Sequence, residues 1–288
     1  MSPFWKRLLR TPAARRGLTM LLIVIGAALA APLVAPTSPD LVDPGARLLA
    51  PLARSVADAQ HPQGMLHLLG TDSIGRDTLS RLIYGSRLSL AVGFAAMLLG
   101  ALLGTLVGVI SGFFGGIIEA ISGWLIDVQL SFPFLLLAIF LLGAMGGGKV
   151  AVICVLALAT WVNYARIVRS QVLSIRNQGY VEAARAAGAG ASRLIFIHIL
   201  PNTLGPLFVV ASFSMAQAIL TEASLSFTGL GLDPSTPSWG TMLNDGRDYL
   251  LSAWWISTMP GIAIGFTVFG VLMLGEGLRE VLDPRGSR

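Results

Sequence analysis

Long apolar runs separated by short polar stretches set the pattern of this chain. A helix needs about 20 apolar residues to cross the hydrocarbon core of a bilayer. Six segments meet or approach that length: 18–36, 88–112, 117–144, 150–168, 204–228 and 254–275. The third is long enough to tilt or bend, and Pro133 predicts a kink within it, because proline removes a backbone donor and crowds the preceding turn. The stretch EAARAAGAGASRLIFIHILPN at 182–202 is polar and small and predicts a loop outside the bilayer. The expected fold is all-α, a polytopic membrane protein with six transmembrane helices. Its expected divisions are a basic tail at 1–17, a first helix at 18–36, a loop at 37–87, a five-helix core at 88–275 that contains the loop 169–203, and a tail at 276–288.

Composition agrees with this pattern. Charged residues make up 12% of the chain and hydrophobic ones 54%. A soluble domain carries about 25% charged residues, and no charged half exists here to form one. The single cysteine, Cys154, lies in an apolar run and excludes a disulfide within the chain. The net charge of +5 matters through its placement. Lys6, Arg7, Arg10, Arg15 and Arg16 precede the first span without an acid among them, so the amino-terminal tail is expected on the cytoplasmic side. Counting crossings puts 169–203 on that side too, and it holds Arg169, Arg176, Arg185 and Arg193 against Glu182. Residues 229–253 are then external, with Asp233, Asp245 and Asp248 against Arg247, and the carboxy-terminal tail is cytoplasmic. The external loop 37–87 fits poorly, since it contains Arg47, Arg54, Arg76, Arg81 and Arg87. Asp40, Asp43, Asp58, Asp72 and Asp77 balance them, and the rule weakens in longer loops. Ala28-Leu29-Ala30 mimics a signal-peptidase site, but Pro32 and apolar residues continuing to Ala35 favour a retained span. The positive charge follows a membrane face and lacks interleaved aromatics, so a nucleic-acid partner is not expected.

Gly100, Gly104, Gly108 and Gly112 recur every four residues and form one smooth helical stripe. The stripe predicts a close packing seam, within the chain or to a partner subunit. In the loop, Gly179 to Gly190 reads as a short helix rich in alanine, with Glu182 at its positive end and Gly188 and Gly190 suited to a left-handed end. Ser192 is expected to cap a second short helix from Arg193 to Leu200, and Pro201 to prevent its continuation into the fifth span. Helix physics alone leaves this loop either a membrane-surface connector or a partner contact.

The spacing of Glu182-Ala183-Ala184, Gly188 and Leu200-Pro201 resembles the "EAA" loop of ABC-importer permeases. The general pattern has Ile where this chain has His198. His198-Ile199-Leu200-Pro201-Asn202 is similar instead to the dipeptide, oligopeptide and nickel branch. The resemblance covers most of the chain. It includes Leu69-Gly70-Thr71-Asp72, Gly75-Arg76-Asp77, Gly85-Ser86-Arg87, Tyr164-Ala165-Arg166, Glu222-Ala223-Ser224-Leu225-Ser226-Phe227, Pro237-Ser238-Trp239-Gly240 and Leu282-Asp283-Pro284. Only 37–68 shows nothing similar. The order of these stretches resembles a "C"-type permease.

That resemblance implies a type I ABC importer permease architecture and no enzymatic activity in this chain. The partners it implies are a second related permease, two ATP-binding subunits, an extracytoplasmic substrate-binding protein and the lipid bilayer. No cofactor is expected on the chain; ATP and Mg are expected on the partner ATPases. Glu182, Ala183, Ala184, Gly188, Leu200 and Pro201 would couple to the ATPases. The cargo would be di- or oligopeptides, with nickel or another small solute as the alternative, and the location a bacterial-type cytoplasmic membrane.

Asp127, Asn163, Gln217 and Glu222 fall within or near spans. Polar groups there are candidates for a pathway or for pairing in the bundle interior. Asp127, about ten residues or ~15 Å into its segment, is expected to be more constrained than Glu222, which is expected to lie where water reaches it. Gly143 to Val150 nearly spells a phosphate-binding loop, but Val150 replaces the final Ser/Thr and no strand is predicted before it. His61, His67 and His198 lack companions at metal-ligand spacing, and no catalytic triad is in view. A membrane enzyme or a secondary transporter would need a catalytic cluster or an internal repeat, and neither is evident.

Overall fold

The computed structural model describes residues 3–56 and 63–282. Asp58, His61, Asp283 and Pro284 therefore lie outside the described residues. Helices dominate: α1 (Pro3–Arg10), α2 (Pro12–Leu29), α3 (Ala31–Val34), α4 (Thr78–Phe114), α5 (Gly116–Ser131), α6 (Phe134–Met145), α7 (Gly148–Ile175), α8 (Gly179–Ala186), α9 (Ala191–Arg193), α10 (Leu200–Phe227), α11 (Trp239–Gly246) and α12 (Trp255–Leu282). A two-residue hairpin adds β1 (Ala53–Arg54) and β2 (Leu66–His67), paired antiparallel with Ala53 opposite His67.

Among the described residues, five helical stretches are long and apolar enough to cross a membrane: Pro12–Leu29, Thr78–Phe114, Gly148–Ile175, Ala191–Phe227 and Trp255–Leu282. The third apolar segment is broken rather than continuous. α5 and α6 meet at 93° and together make up a sixth candidate span. Phe132 is extended (φ −98°, ψ 135°), the conformation that a following proline enforces, and Pro133 cannot donate to the turn behind it. The ladder restarts only where Leu136 and Leu137 donate to the Pro133 carbonyl, at 3.0 and 3.2 Å.

Two other boundaries differ from the hydropathy pattern. α4 begins ten residues before its apolar run, because Asp77 caps it by accepting from the Ser80 amide at 2.8 Å. Its 37 residues make a rod of about 55 Å, well beyond a bilayer core of about 30 Å. The second correction concerns Pro201. No separate helix ends before it: α9 runs through a π-helical stretch, Leu194–Ile199, directly into α10. The wide π turns make room for the proline ring and its missing donor. Gly190 rather than Ser192 precedes α9, and no side chain caps it.

The bundle is organised around α4 and α7. All four stripe glycines are buried against α7. A Cβ added at Gly108 would lie 2.7 Å from the Ala165 carbonyl oxygen, and at Gly112 2.9 Å from Val172 Cβ. At Gly100 and Gly104 it would overlap Thr160 and the Trp161 carbonyl outright. The seam thus lies within the chain. Its extension is apolar: Val92, Ala96, Ala138, Leu142, Val152, Val155 and Leu156 form one cluster that ties α6 to the start of α7. α2 packs on α12 by a similar close approach, with Ala14 against Gly277 and Gly17 against Gly270.

At the end of the bundle opposite α8, residues 37–56, 63–77 and 229–254 fold into a cap. Its arginines, which fitted charge bias poorly, are held locally. Asp72 accepts from Arg76 Nε at 2.6 Å and from Arg81 Nη1 at 2.8 Å, and Asp245 accepts from Arg76 Nη2 and Arg81 Nη1 at 3.0 and 2.8 Å. Arg47 donates to the Ser73 carbonyl and Arg54 to that of Gly64. Arg87 donates to the Ala28 and Leu29 carbonyls, at the negative end of α2. Trp255 and Trp239 lock the cap to the bundle, donating through Nε1 to the Thr71 and Leu82 carbonyls at 3.0 and 3.1 Å.

Candidate functional site

α8 is amphipathic on a small scale. Val181 is fully buried in a cluster with Val109, Val168, Val172, Ile175, Leu194 and Ile199, which fixes α8 to the ends of α4 and α7. The opposite side, with Glu182, Ala183 and Arg185, is exposed, while Ala184 packs partly against the cluster. Glu182 lies in the first turn, where a carboxylate suits the helix dipole. The helix closes on Gly188, whose φ is +85°. Ala189 N donates to the Ala184 carbonyl and Gly188 N to that of Arg185, both at 3.0 Å, the paired bonds of a Schellman end. Gly190 has φ −71° and takes no part in a left-handed turn. Leu200 is half-buried and Pro201 exposed. Asn202 Nδ2 donates to Tyr180 Oη at 3.3 Å and to the His198 carbonyl at 2.7 Å, joining the two arms of the loop. Tyr180, Phe196 and Ile197 are exposed beside it. The result is an anchored helix with a free polar-and-alanine face flanked by exposed aromatic and aliphatic side chains.

Of the four intramembrane candidates, the structure brings two together. Asn163, Arg166 and Ser170 project from α7 at helical spacing, and Phe213, Ser214 and Gln217 from α10. They line a cavity of about 470 Å³. A second cavity of about 330 Å³ continues it through the shared Ile167 and Val210, and reaches Arg279 on α12. Among the described residues Arg166 has no ion-pair or hydrogen-bond partner. Its helix neighbours are held: Arg169 by Glu119, and Arg176 by the Gly112 and Phe113 carbonyls.

The other two candidates lie elsewhere. Asp127, expected to be more constrained than Glu222, is exposed on α5, and only its carbonyl is engaged, accepting from Ser131 Oγ at 2.7 Å. Glu222, expected to meet water, is completely buried. Its Oε1 accepts from Ser226 Oγ at 2.8 Å and Ser238 Oγ at 3.3 Å, so it ties α10 to the loop before α11. Ser238 in turn opens a capping box on α11. Glu222 was visible as an acid near an apolar run; its depth was not, because Ser238 reaches it from 16 residues away.

The remaining sequence signals resolve simply. Gly146, Gly147 and Gly148 form a positive-φ turn between α6 and α7. His67 is a buried cap residue, its Nδ1 2.9 Å from Asp77 Oδ1. In the cap loop Asp233 accepts from the Ser235 hydroxyl and amide, which holds its carboxyl below the usual range.

With this geometry in place, likeness to known proteins decides the family. The model described as "Binding-protein-dependent transport system inner membrane component" matches residues 104–288, and that for the N-terminal transmembrane domain of oligopeptide transport permease C matches residues 2–51. The chain belongs to this family of ABC-importer permeases. The dipeptide transport system permease protein DppC of Escherichia coli (strain K12) is 45% identical to the permease, over 99% of this chain and 93% of that one. The di/tripeptide transport system permease protein DppC of Pseudomonas aeruginosa (strain UCBPP-PA14) is 38% identical over 99% and 92%. Among solved structures, a chain of the MetNI methionine ABC transporter in an inward-facing conformation aligns with TM-score 0.58 and 22% identity, covering 70% of this chain and 96% of that one. At that identity the likeness is one of fold. The permease is thus a transport subunit, with ATP hydrolysis on separate subunits; α8 carries Glu182 and Ala183 on its exposed side and Ala184 half-buried.

Proposed function

We propose that this permease imports di- or oligopeptides across a bacterial cytoplasmic membrane. The 45% identity to a dipeptide permease across nearly the whole of both chains carries this reading. It works with a second related permease, two ATP-binding subunits and an extracytoplasmic binding protein. The exposed face of α8 with Glu182 and Ala183, together with the half-buried Ala184, Gly188 just past its end and the nearby Leu200 and Pro201, is its contact with the ATPases. Both termini and α8 lie on the cytoplasmic side, and the cap faces outward. The uncompensated basic tail supports this orientation, and local pairing of the cap arginines removes the main objection to it.

No bond-breaking chemistry is required of the chain. Closure of the ATPases moves α8, and Val181, Leu194 and Ile199 pass that motion to α4 and α7 through a packed cluster. Ligand and nucleotide then bias one two-state equilibrium. The test is co-purification from mildly solubilised native membranes, followed by peptide uptake in proteoliposomes. A stoichiometric ATPase and second permease, with ATP-dependent uptake of a dipeptide, are expected. A chain that purifies alone, or a complex that moves no peptide, would overturn the reading.

A further inference from the structure

We propose that Arg166 is an anion subsite on the translocation path, where it takes a carboxylate of the passing solute between α7 and α10. The proposal rests on the importer reading above. Arg166 lies 18 residues from the start of α7 and nine from its end, or about 27 Å and 14 Å along the helix. It stands two residues before the end of the apolar segment 150–168, at the cytoplasmic side of the span, where a cation faces the bundle interior, a partner, a water-filled cavity or the interface rather than lipid. The lipid-suited surface of the bundle looks different: α4 exposes Phe94, Leu98, Leu102 and Leu106. The groove instead presents Asn163, Ser170 and Gln217 around the guanidinium, in a cavity of about 470 Å³. That is ample for a small solute.

The charge of the groove is one-sided. Arg166 lines the first cavity and Arg279, which pairs with Glu276 at 3.8 Å, the second; among the described residues no acidic side chain lines either. Guanidinium presents a planar fork of donors that matches a carboxylate. The side-chain amides of Asn163 and Gln217 supply further donors for its remaining lone pairs. Among the described residues Arg166 has none of the carboxylate or carbonyl partners that occupy Arg169 on the same helix and Arg176 just past its end. Its donors are therefore open to a ligand. One exposed cation also gives the weak, reversible contact that a path requires, since the solute must leave as well as enter.

The test uses the assembled transporter in proteoliposomes, with a dipeptide and its C-terminal amide, each rate normalised to occupancy of the binding protein. Arg166→Gln is expected to slow the free-carboxylate peptide roughly tenfold, the scale of one hydrogen bond to a charged group, and to leave the amide within about twofold. Arg166→Lys should restore part of the loss. Equal loss for both peptides would make Arg166 a structural residue, and no loss for either would remove it from the path; each overturns the proposal. A second measurement stands apart from peptide transport. In a Cys154→Ala background, the thiol introduced by Gln217→Cys is labelled with anionic methanethiosulfonate ethylsulfonate and its cationic trimethylammonium counterpart. The anionic reagent is expected to gain at least roughly threefold from Arg166, and Arg166→Gln should abolish that preference. Equal rates with Arg166 present, or no reaction with either reagent, would overturn the subsite even in a complex that imports peptides. If the complex moved no peptide, the labelling would decide the subsite alone.

Discussion

α7 presents two faces of opposite character. One carries Ala157, Thr160, Ala165, Val168 and Val172 against the glycine stripe of α4, with no room for a single added carbon. The other carries Asn163, Arg166 and Ser170 into an open groove. In lipid, association between helices gains little from apolar burial, so close backbone approach and side-chain fit must hold them. The seam does that. The groove contributes little to cohesion and leaves a cation exposed in a span, which a purely structural helix avoids. One helix thus separates what holds the fold from what meets the solute, and substitutions on its two faces should fail in different ways.

The largest effect is expected from Gly104→Val. The new side chain would meet the Trp161 carbonyl and sit 2.6 Å or less from Tyr164 Cβ. Backbone cannot rotate away as a side chain can, so the cost should exceed the ~1–3 kcal/mol of ordinary overpacking. Loss of a monodisperse species on size exclusion in detergent is expected, whereas Arg166→Gln should elute as the parent does. A Gly104→Val chain that purified normally and transported would show that the seam is looser than drawn.

These two faces were unequally legible. The glycine stripe announced itself by its four-residue period, since a helix puts such residues on one side. Its partner did not, because α7 marks the facing surface only by scattered small residues. Asn163 and Gln217 stood out as polar residues in apolar runs, but their meeting depends on how α7 crosses α10. The cap was hidden for the same reason: Arg81 and Asp245 are 164 positions apart, and only the fold joins them. Pro201 misled because a proline ends an α-helix but not a stretch whose turns have widened to π.

Glu222 offers an intermediate case, a polar group buried in the bundle rather than exposed in the groove. Glu222→Ala removes the acceptor for two buried serine hydroxyls, and should cost about 2–3 kcal/mol. Glu222→Gln keeps an acceptor and should cost less than about 1.5 kcal/mol. Thermal unfolding in detergent would rank them. If Glu222→Ala matched the parent in stability but lost transport, Glu222 would belong with the groove and not with the scaffold.

Gly188→Arg comes next in stability and tests α8. Space is open around Gly188, so the penalty is the left-handed backbone, about 1–2 kcal/mol. An added side chain on an exposed helix end should leave the bundle folded and uncouple ATP hydrolysis from uptake. Full transport by this variant would remove α8 from the ATPase contact.

The smallest effect belongs to Glu119→Gln, which breaks the pair that Glu119 makes with Arg169, one turn beyond Arg166. Both side chains are about a third exposed, so solvent screens their attraction, and the loss should be about 0.5 kcal/mol or less and fall further with salt. Its value is as a control on neighbouring cations. Arg169 already has a carboxylate; Arg166 does not. If Arg166 acts by meeting solute, freeing Arg169 from Glu119 should leave the discrimination between a peptide and its amide unchanged, measured in the same proteoliposomes. If Glu119→Gln altered that discrimination as strongly as Arg166→Gln, the groove would be responding to the general field at this end of α7. The sharp division between its two faces would then give way to a gradient along the helix.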